Sequence, residues 1–321
     1  MSVFNSVKTP VVQYLKKNLT MVPVSVLRRQ VGAEVPTTMT LVLSHATGFC
    51  KEMWTPILDE LAPSLVSRRW ACEAICIDHT GHGESRQRIN LWQRPVEWQH
   101  FCPADVLEAV AAAPRTRPRI GIGHSMGAAA LVLTELQRPG TFDGLVLLEP
   151  ILPPPGPLQT NVGLSDSAAR RRASWPSRSD AYASLRSRGM FKTFDDRTFG
   201  AYIDHGLCEE GGAYVLKCKP EVEAEIYRGV GDSVWDRLGE VKCPVRLVVG
   251  GTSKHLDGMG FDGTVHLFRA MASKFARAEL DVLAEHGHFA SFESPARFAE
   301  VVAGFLGTHA HPLVCAHSPR L

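Results

Sequence analysis

Residues 121–130 read GIGHSMGAAA, and their types and spacing admit two chemistries. One is phosphate binding, where a Gly-x-Gly-x-x-Gly turn cradles a dinucleotide and an acidic residue follows about 20 positions on. The spacing here is Gly-x-Gly-x-x-x-Gly, although Glu149 does end the next apolar run. The other is nucleophilic attack. Gly123-His124-Ser125-Met126-Gly127 satisfies Gly-x-Ser-x-Gly, whose small flanking residues permit the sharp turn that lifts a serine hydroxyl out of a sheet. The N–H of Met126 would then open a helix, where it can stabilise an oxyanion. The serine at the apex favours the nucleophile.

Serine is a weak nucleophile and needs a base. The candidates lie far downstream in EHGHFASFESPARF, at His286 and His288. His288 falls on the loop before an apolar helical stretch and is the favoured base, while His286 reads as a loop residue. A metal reading of His-x-His lacks a specified third ligand. His79 and His82 in DHTGHGES raise the same question, and a structural bend is the expectation there.

The elements that must position these groups follow from periodicity. Buried strands are expected within 38–49, 70–85 (with its glycine-rich turn), 118–125, 142–150, 243–251 and 278–289. Helical spacing separates them at 51–65, 126–138 and 296–306. That alternation predicts an α/β fold, a doubly wound and mostly parallel sheet whose ligands bind beyond the carboxyl ends of its strands. Residues 151–241 break the rhythm, with a PPPGP run and no convincing buried strand. They are expected to form a helical cap inserted into a core made of 1–150 and 242–321.

The stretches SHATGF, DHTGHGES, GHSMG, LVLLEP and GHFASFESP resemble the α/β-hydrolase fold superfamily across roughly 38–306. The cap stretch ARRRASWPSRSDAYASLRSRGMF with YIDHGL is similar to a subgroup that includes peroxisomal lipase-like and fungal toxin-biosynthesis hydrolases. The resemblance implies the chain order nucleophile, acid, histidine. It also implies an acid just after the strand CPVRLVVGG, but that position holds Ser253. Two carboxylates remain open: Glu149, at the end of the strand after the nucleophile helix, and Asp257. Burying Glu149 behind so apolar a run is costly without a hydrogen-bonding partner such as a histidine, which favours it. For the oxyanion hole the resemblance implies Met126 and a donor from His45-Ala46-Thr47-Gly48-Phe49, with Thr47 first and Gly48 or Phe49 behind. His45 reads as a tie for that loop, and Phe49, His45 and Trp175 are the candidate substrate contacts. The implied enzyme is a serine hydrolase of an apolar ester, thioester or lactone, with acyl transfer, cyclisation or C–C cleavage as the alternative on the same scaffold. No cofactor or metal is implied, and the expected partner is a small apolar molecule.

Composition is compatible with that reading. The 321 residues are 45% hydrophobic and 21% charged, enough for a sizeable core. A net charge of +2 argues against nucleic acid or an anionic membrane surface as a partner. The basic residues between Arg170 and Lys192 read as a solvated cap face rather than an anion site. Eight cysteines without C-x-x-C spacing predict free thiols in a reducing compartment. No apolar run approaches the ~18 residues that span a bilayer. The N-terminus lacks a secretory pattern, and Pro319-Arg320-Leu321 resembles a degenerate peroxisomal address. A cytoplasmic or peroxisomal protein is expected.

Overall fold

In a computed structural model, which describes residues 22–91, 98–113, 116, 118–155, 162–229, 233–254 and 262–317, the apolar runs become strands. In chain order these are β1 (Val26–Gly32), β2 (Met39–Ser44), β3 (Ala71–Ile77), β4 (Arg119–His124) and β5 (Gly144–Leu148). Three short strands follow, β6 (Ser174–Trp175), β7 (Leu207–Glu210) and β8 (Ala213–Leu216), and then β9 (Val245–Gly250) and β10 (Ala278–Leu283). The main sheet has seven strands in the order β1-β3-β2-β4-β5-β9-β10. All neighbours are parallel except β1, which runs antiparallel to β3. The predicted α/β fold with its mostly parallel sheet is therefore present.

Its two faces are buried by different helices. Phe101, Val106, Leu131 and Phe268, from the helices Trp98–Ala111, Met126–Gln137 and Thr264–Lys274, pack on one side. Leu58, Leu61, Phe298 and Phe305, from Thr55–Ser67 and Pro295–Phe305, pack on the other. Burial on both faces explains why the central strands read as unbroken apolar runs. β1 escaped the sequence reading because its VLRRQVG alternates on a half-exposed edge, where Arg28 pairs with Glu73 at 3.0 Å.

Residues 151–241 depart from the expectation of an all-helical segment. β6, β8 and β7 form a small antiparallel sheet among the helices. These strands are two to four residues long and partly exposed, so no apolar run announces them. The segment rests on a third apolar cluster that unites Phe49 and Met53 of the core with Phe194, Phe199 and Tyr202 of the insertion and with Phe292. Several arginines are internal fasteners: Arg172 lies 5.4 Å from the Trp175 ring centre, Arg178 5.1 Å from Tyr214, and Arg186 5.2 Å from Phe199. Among the described residues no helix is long and apolar enough to cross a membrane. Pro319-Arg320-Leu321 and the first 21 residues lie outside the described residues, as does Asp257.

Candidate active site

Ser125 sits between the end of β4 and the helix Met126–Gln137, with φ 55° and ψ −120°. A side chain at positive φ is strained by about 1–3 kcal/mol and persists only where its surroundings enforce it. Here they do. A Cβ at Gly127 would stand 2.2 Å from the carbonyl oxygen of Ser44, and one at Gly123 would stand 2.5 Å from Cα of Ala128. The glycines thus let the helix press against β2 and its own strand, and no phosphate enters the explanation. Gly127→Ala is expected to cost about 1–3 kcal/mol by overpacking, measured as a shift in the denaturation midpoint. An unshifted midpoint would mean that the helix is not held where it lies.

Glu149 occupies the equivalent place one strand over, again at positive φ (43°) and fully buried. The two residues are linked by the sheet itself. The N–H of Ser125 donates to the carbonyl of Leu148 at 2.9 Å, and that of Glu149 donates to Val248 at 3.0 Å. The carboxylate accepts from the N–H of Gly250 at 2.9 Å and from the Ser253 hydroxyl at 2.8 Å. Its Oε2 also lies 2.6 Å from Nδ1 of His288. Ser253, standing where the resemblance implies an acid, instead buttresses the carboxylate that has taken over the contact.

His288 is brought there by the loop after β10. Gly250 makes room for it, since a Cβ would strike the carbonyls of Gly287 and His286 at 2.3 and 2.5 Å. The N–H of Gly287 donates to Oε2 of Glu293 at 3.0 Å, and Nε2–H of His124 donates to the His288 carbonyl at 2.8 Å. The residue beside Ser125 therefore holds the backbone of His288. Desolvation lowers the His288 imidazole to about 3, so the ring is neutral and able to accept a proton. His286 serves the loop, its carbonyl accepting from the Thr252 N–H at 3.1 Å.

The loop 45–49 follows β2. His45 is fully buried: Nδ1–H donates to the Ala46 carbonyl at 2.8 Å, and Nε2 accepts from the His79 N–H at 3.2 Å. Both ring nitrogens are committed to backbone, so His45 shapes the loop and presents neither to a substrate. Burial and the neighbouring His82 and His79 lower its pKa well below the ordinary histidine value. The Thr47 hydroxyl lies 3.4 Å from the sulfur of Met126, which brings the two expected oxyanion residues together. The Phe49 N–H donates to the Ala46 carbonyl at 3.3 Å, which leaves Thr47 and Gly48 of the three loop candidates. Phe49 packs against Phe292 and Tyr202 at ring separations of 5.1 and 5.7 Å. Trp175 is 1% exposed and belongs to the apolar cluster that joins residues 151–241 to Phe49.

DHTGHGES forms the base under this loop. Asp78 accepts from the Lys51 N–H at 2.8 Å and the Glu84 N–H at 2.9 Å, and pairs with Nζ of Lys51 at 2.6 Å. His79 Nε2 meets the Ser44 hydroxyl at 2.7 Å, and Nδ1–H of His82 donates to the Thr80 carbonyl at 3.2 Å. These histidines are used as fasteners. The sequence reading missed the roles of Ser253 and Glu293; Glu293 was visible in the ESP of the histidine motif, whereas nothing in isolation marks Ser253.

The profile of the alpha/beta hydrolase family matches residues 41–301. The chain is 23% identical over 220 residues to the abhydrolase domain-containing protein AKT2 of Alternaria alternata, covering 59% of this chain and 83% of that protein. A shorter stretch of 78 residues is 37% identical to the Homo sapiens monoglyceride lipase, covering 23% of this chain and 24% of the lipase. The peroxisomal alpha-beta-hydrolase Lpx1 of Saccharomyces cerevisiae shares the fold with a TM-score of 0.71, over 93% of this chain and 91% of its own, at 18% identity. With the family profile spanning most of the chain and the sheet order to match, this protein belongs to the alpha/beta hydrolase family.

Proposed function

We propose that this hydrolase cleaves an ester, thioester or lactone of an apolar acyl substrate through an acyl-enzyme on Ser125. The single observation that carries the reading is the 2.6 Å contact between His288 Nδ1 and a fully buried Glu149, which fixes the tautomer that leaves Nε2 as the proton acceptor. The Ser125 oxygen attacks the acyl carbonyl as Nε2 takes its proton. The N–H groups of Met126 and Thr47 hold the resulting oxyanion. The alcohol or thiol leaves with the proton from His288, and a water activated by the same nitrogen releases the acid. Glu149 balances the imidazolium in both halves. Residues 151–241 act as the cap over this site, with Phe49 on its floor, and the aromatic packing there supports an apolar acyl group.

The test is a panel of p-nitrophenyl esters, acyl-CoAs and lactones with the full chain, followed by product analysis with added nucleophiles. Release of free acid is expected, and exclusive transfer to the nucleophile would replace hydrolysis by acyl transfer. On a competent ester, kcat/KM should rise with pH as His288 loses its proton. Because burial lowers that pKa, the midpoint should fall below the ordinary histidine value of about 6.5. A midpoint at or above that value would rule out a buried neutral imidazole as the base.

A further inference from the structure

The loop that supplies Thr47 is not held by the core alone. Gly48 stands at φ +85°, a conformation that glycine adopts without strain. Against its Cα lies the Glu223 carboxylate, so close that a Cβ at 48 would be 3.0 Å from Oε1. Glu223 belongs to the helix Pro220–Arg228 and is itself 5% exposed. A carboxylate so enclosed requires a partner, and Nη1 of Arg171 supplies it at 2.6 Å. The other arm of that guanidinium donates to the Tyr202 hydroxyl at 3.0 Å, and the Tyr202 ring packs 5.7 Å from Phe49, the last residue of the loop. The chain of contacts therefore starts at Gly48, passes through Glu223, Arg171 and Tyr202, and returns to Phe49. Every link except the loop comes from residues 151–241.

We infer that Arg171 and Glu223 are positioning residues that set the oxyanion loop, so that the insertion governs the rate of the chemical step as well as access to the site. The inference rests on the serine-hydrolase reading above. The forked guanidinium engages a carboxylate and a phenol at once, which fixes both in direction as a lysine could not. Because Gly48 directly follows Thr47 and the Glu223 carboxylate lies against its Cα, displacing Glu223 frees the neighbouring peptide units to rotate. An oxyanion hole acts only while its donors are preorganised, so such a rotation is felt mainly in the transition state.

The full chain carrying Arg171→Met, Arg171→Lys, Glu223→Gln or Glu223→Asp is compared with wild type in three measurements. Amide hydrogen exchange is followed in the peptide covering 45–50 and, as a control, in β9. Turnover and KM are taken on p-nitrophenyl butyrate. The inhibition constant is taken for an alkyl trifluoromethyl ketone, whose adduct with Ser125 places an oxyanion in the hole. Arg171→Met and Glu223→Gln should accelerate exchange in 45–50 and leave β9 unchanged. They should lower kcat by about 10- to 100-fold, below the roughly 10²–10³ of removing a donor outright, and weaken the ketone in proportion. KM should stay within about threefold, since uniform binding is untouched. The conservative variants should recover part of the loss. Unchanged exchange in 45–50, or a loss confined to KM, overturns the inference, as does faster exchange in β9 to the same degree. If wild type cleaves no ester while 45–50 still loosens, the hydrolase reading fails and the coupling of the insertion to the loop stands.

Discussion

Ser125→Ala is expected to lower turnover by about 10⁴- to 10⁶-fold and to abolish labelling by a fluorophosphonate probe. The hydroxyl it removes sits at a turn where β4, the helix after it and the carbonyl of Ser44 leave no alternative placement. His288→Ala should cost nearly as much, and the double variant little more than either, because a nucleophile and its base act as one unit. What survives is the contribution of the oxyanion donors and of binding, roughly 10³-fold over water. Steady-state turnover on a p-nitrophenyl ester and gel-based labelling read both effects. A Ser125→Ala protein that still turns over at a tenth of the wild-type rate would remove the acyl-enzyme from consideration.

Glu149→Gln should cost about 10³- to 10⁴-fold, the size expected when a histidine loses the carboxylate that sets its tautomer. The carboxylate is fully buried and holds three partners, so its replacement leaves His288 Nδ1 facing an amide. Asp257→Ala should leave turnover within about threefold of wild type, as for a residue with no part in the proton relay. The geometry also predicts a rescue. Ser253 Oγ is 2.8 Å from the same Oε2 that lies 2.6 Å from His288 Nδ1. Placing the acid at the other post, as Glu149→Ser with Ser253→Asp, should recover at least about tenfold over Glu149→Ser alone. A severe loss in Asp257→Ala together with a mild one in Glu149→Gln would transfer the role to Asp257.

The sheet was legible because burial on both faces writes strands as apolar runs, as in TLVLS and GLVLL, and because glycine-rich turns punctuate them. Ser125 and Glu149 were legible for a related reason: each stands at the end of such a run, and His288 follows one on the next loop. The edge strand β1 and the strands of the insertion were not, since polar residues on exposed faces erase the period. The roles of Ser253, Arg171 and Glu223 were hidden differently. They depend on which segments the fold apposes, Glu223 meeting Gly48 from 175 positions away, and no local pattern carries that distance. Arg171 in particular looked like one more charge in a basic stretch.

The backbone at position 125 has a consequence for how this protein could be changed. A residue without a side chain would occupy φ 55°, ψ −120° at ease, so Ser125→Gly relaxes the turn while discarding the hydroxyl. A library sorted only for resistance to heat would therefore drift toward glycine at the position of the proposed nucleophile. Breeding this enzyme for durability demands that survivors be counted by what they make, because on the proposed mechanism the sturdiest of them would make nothing.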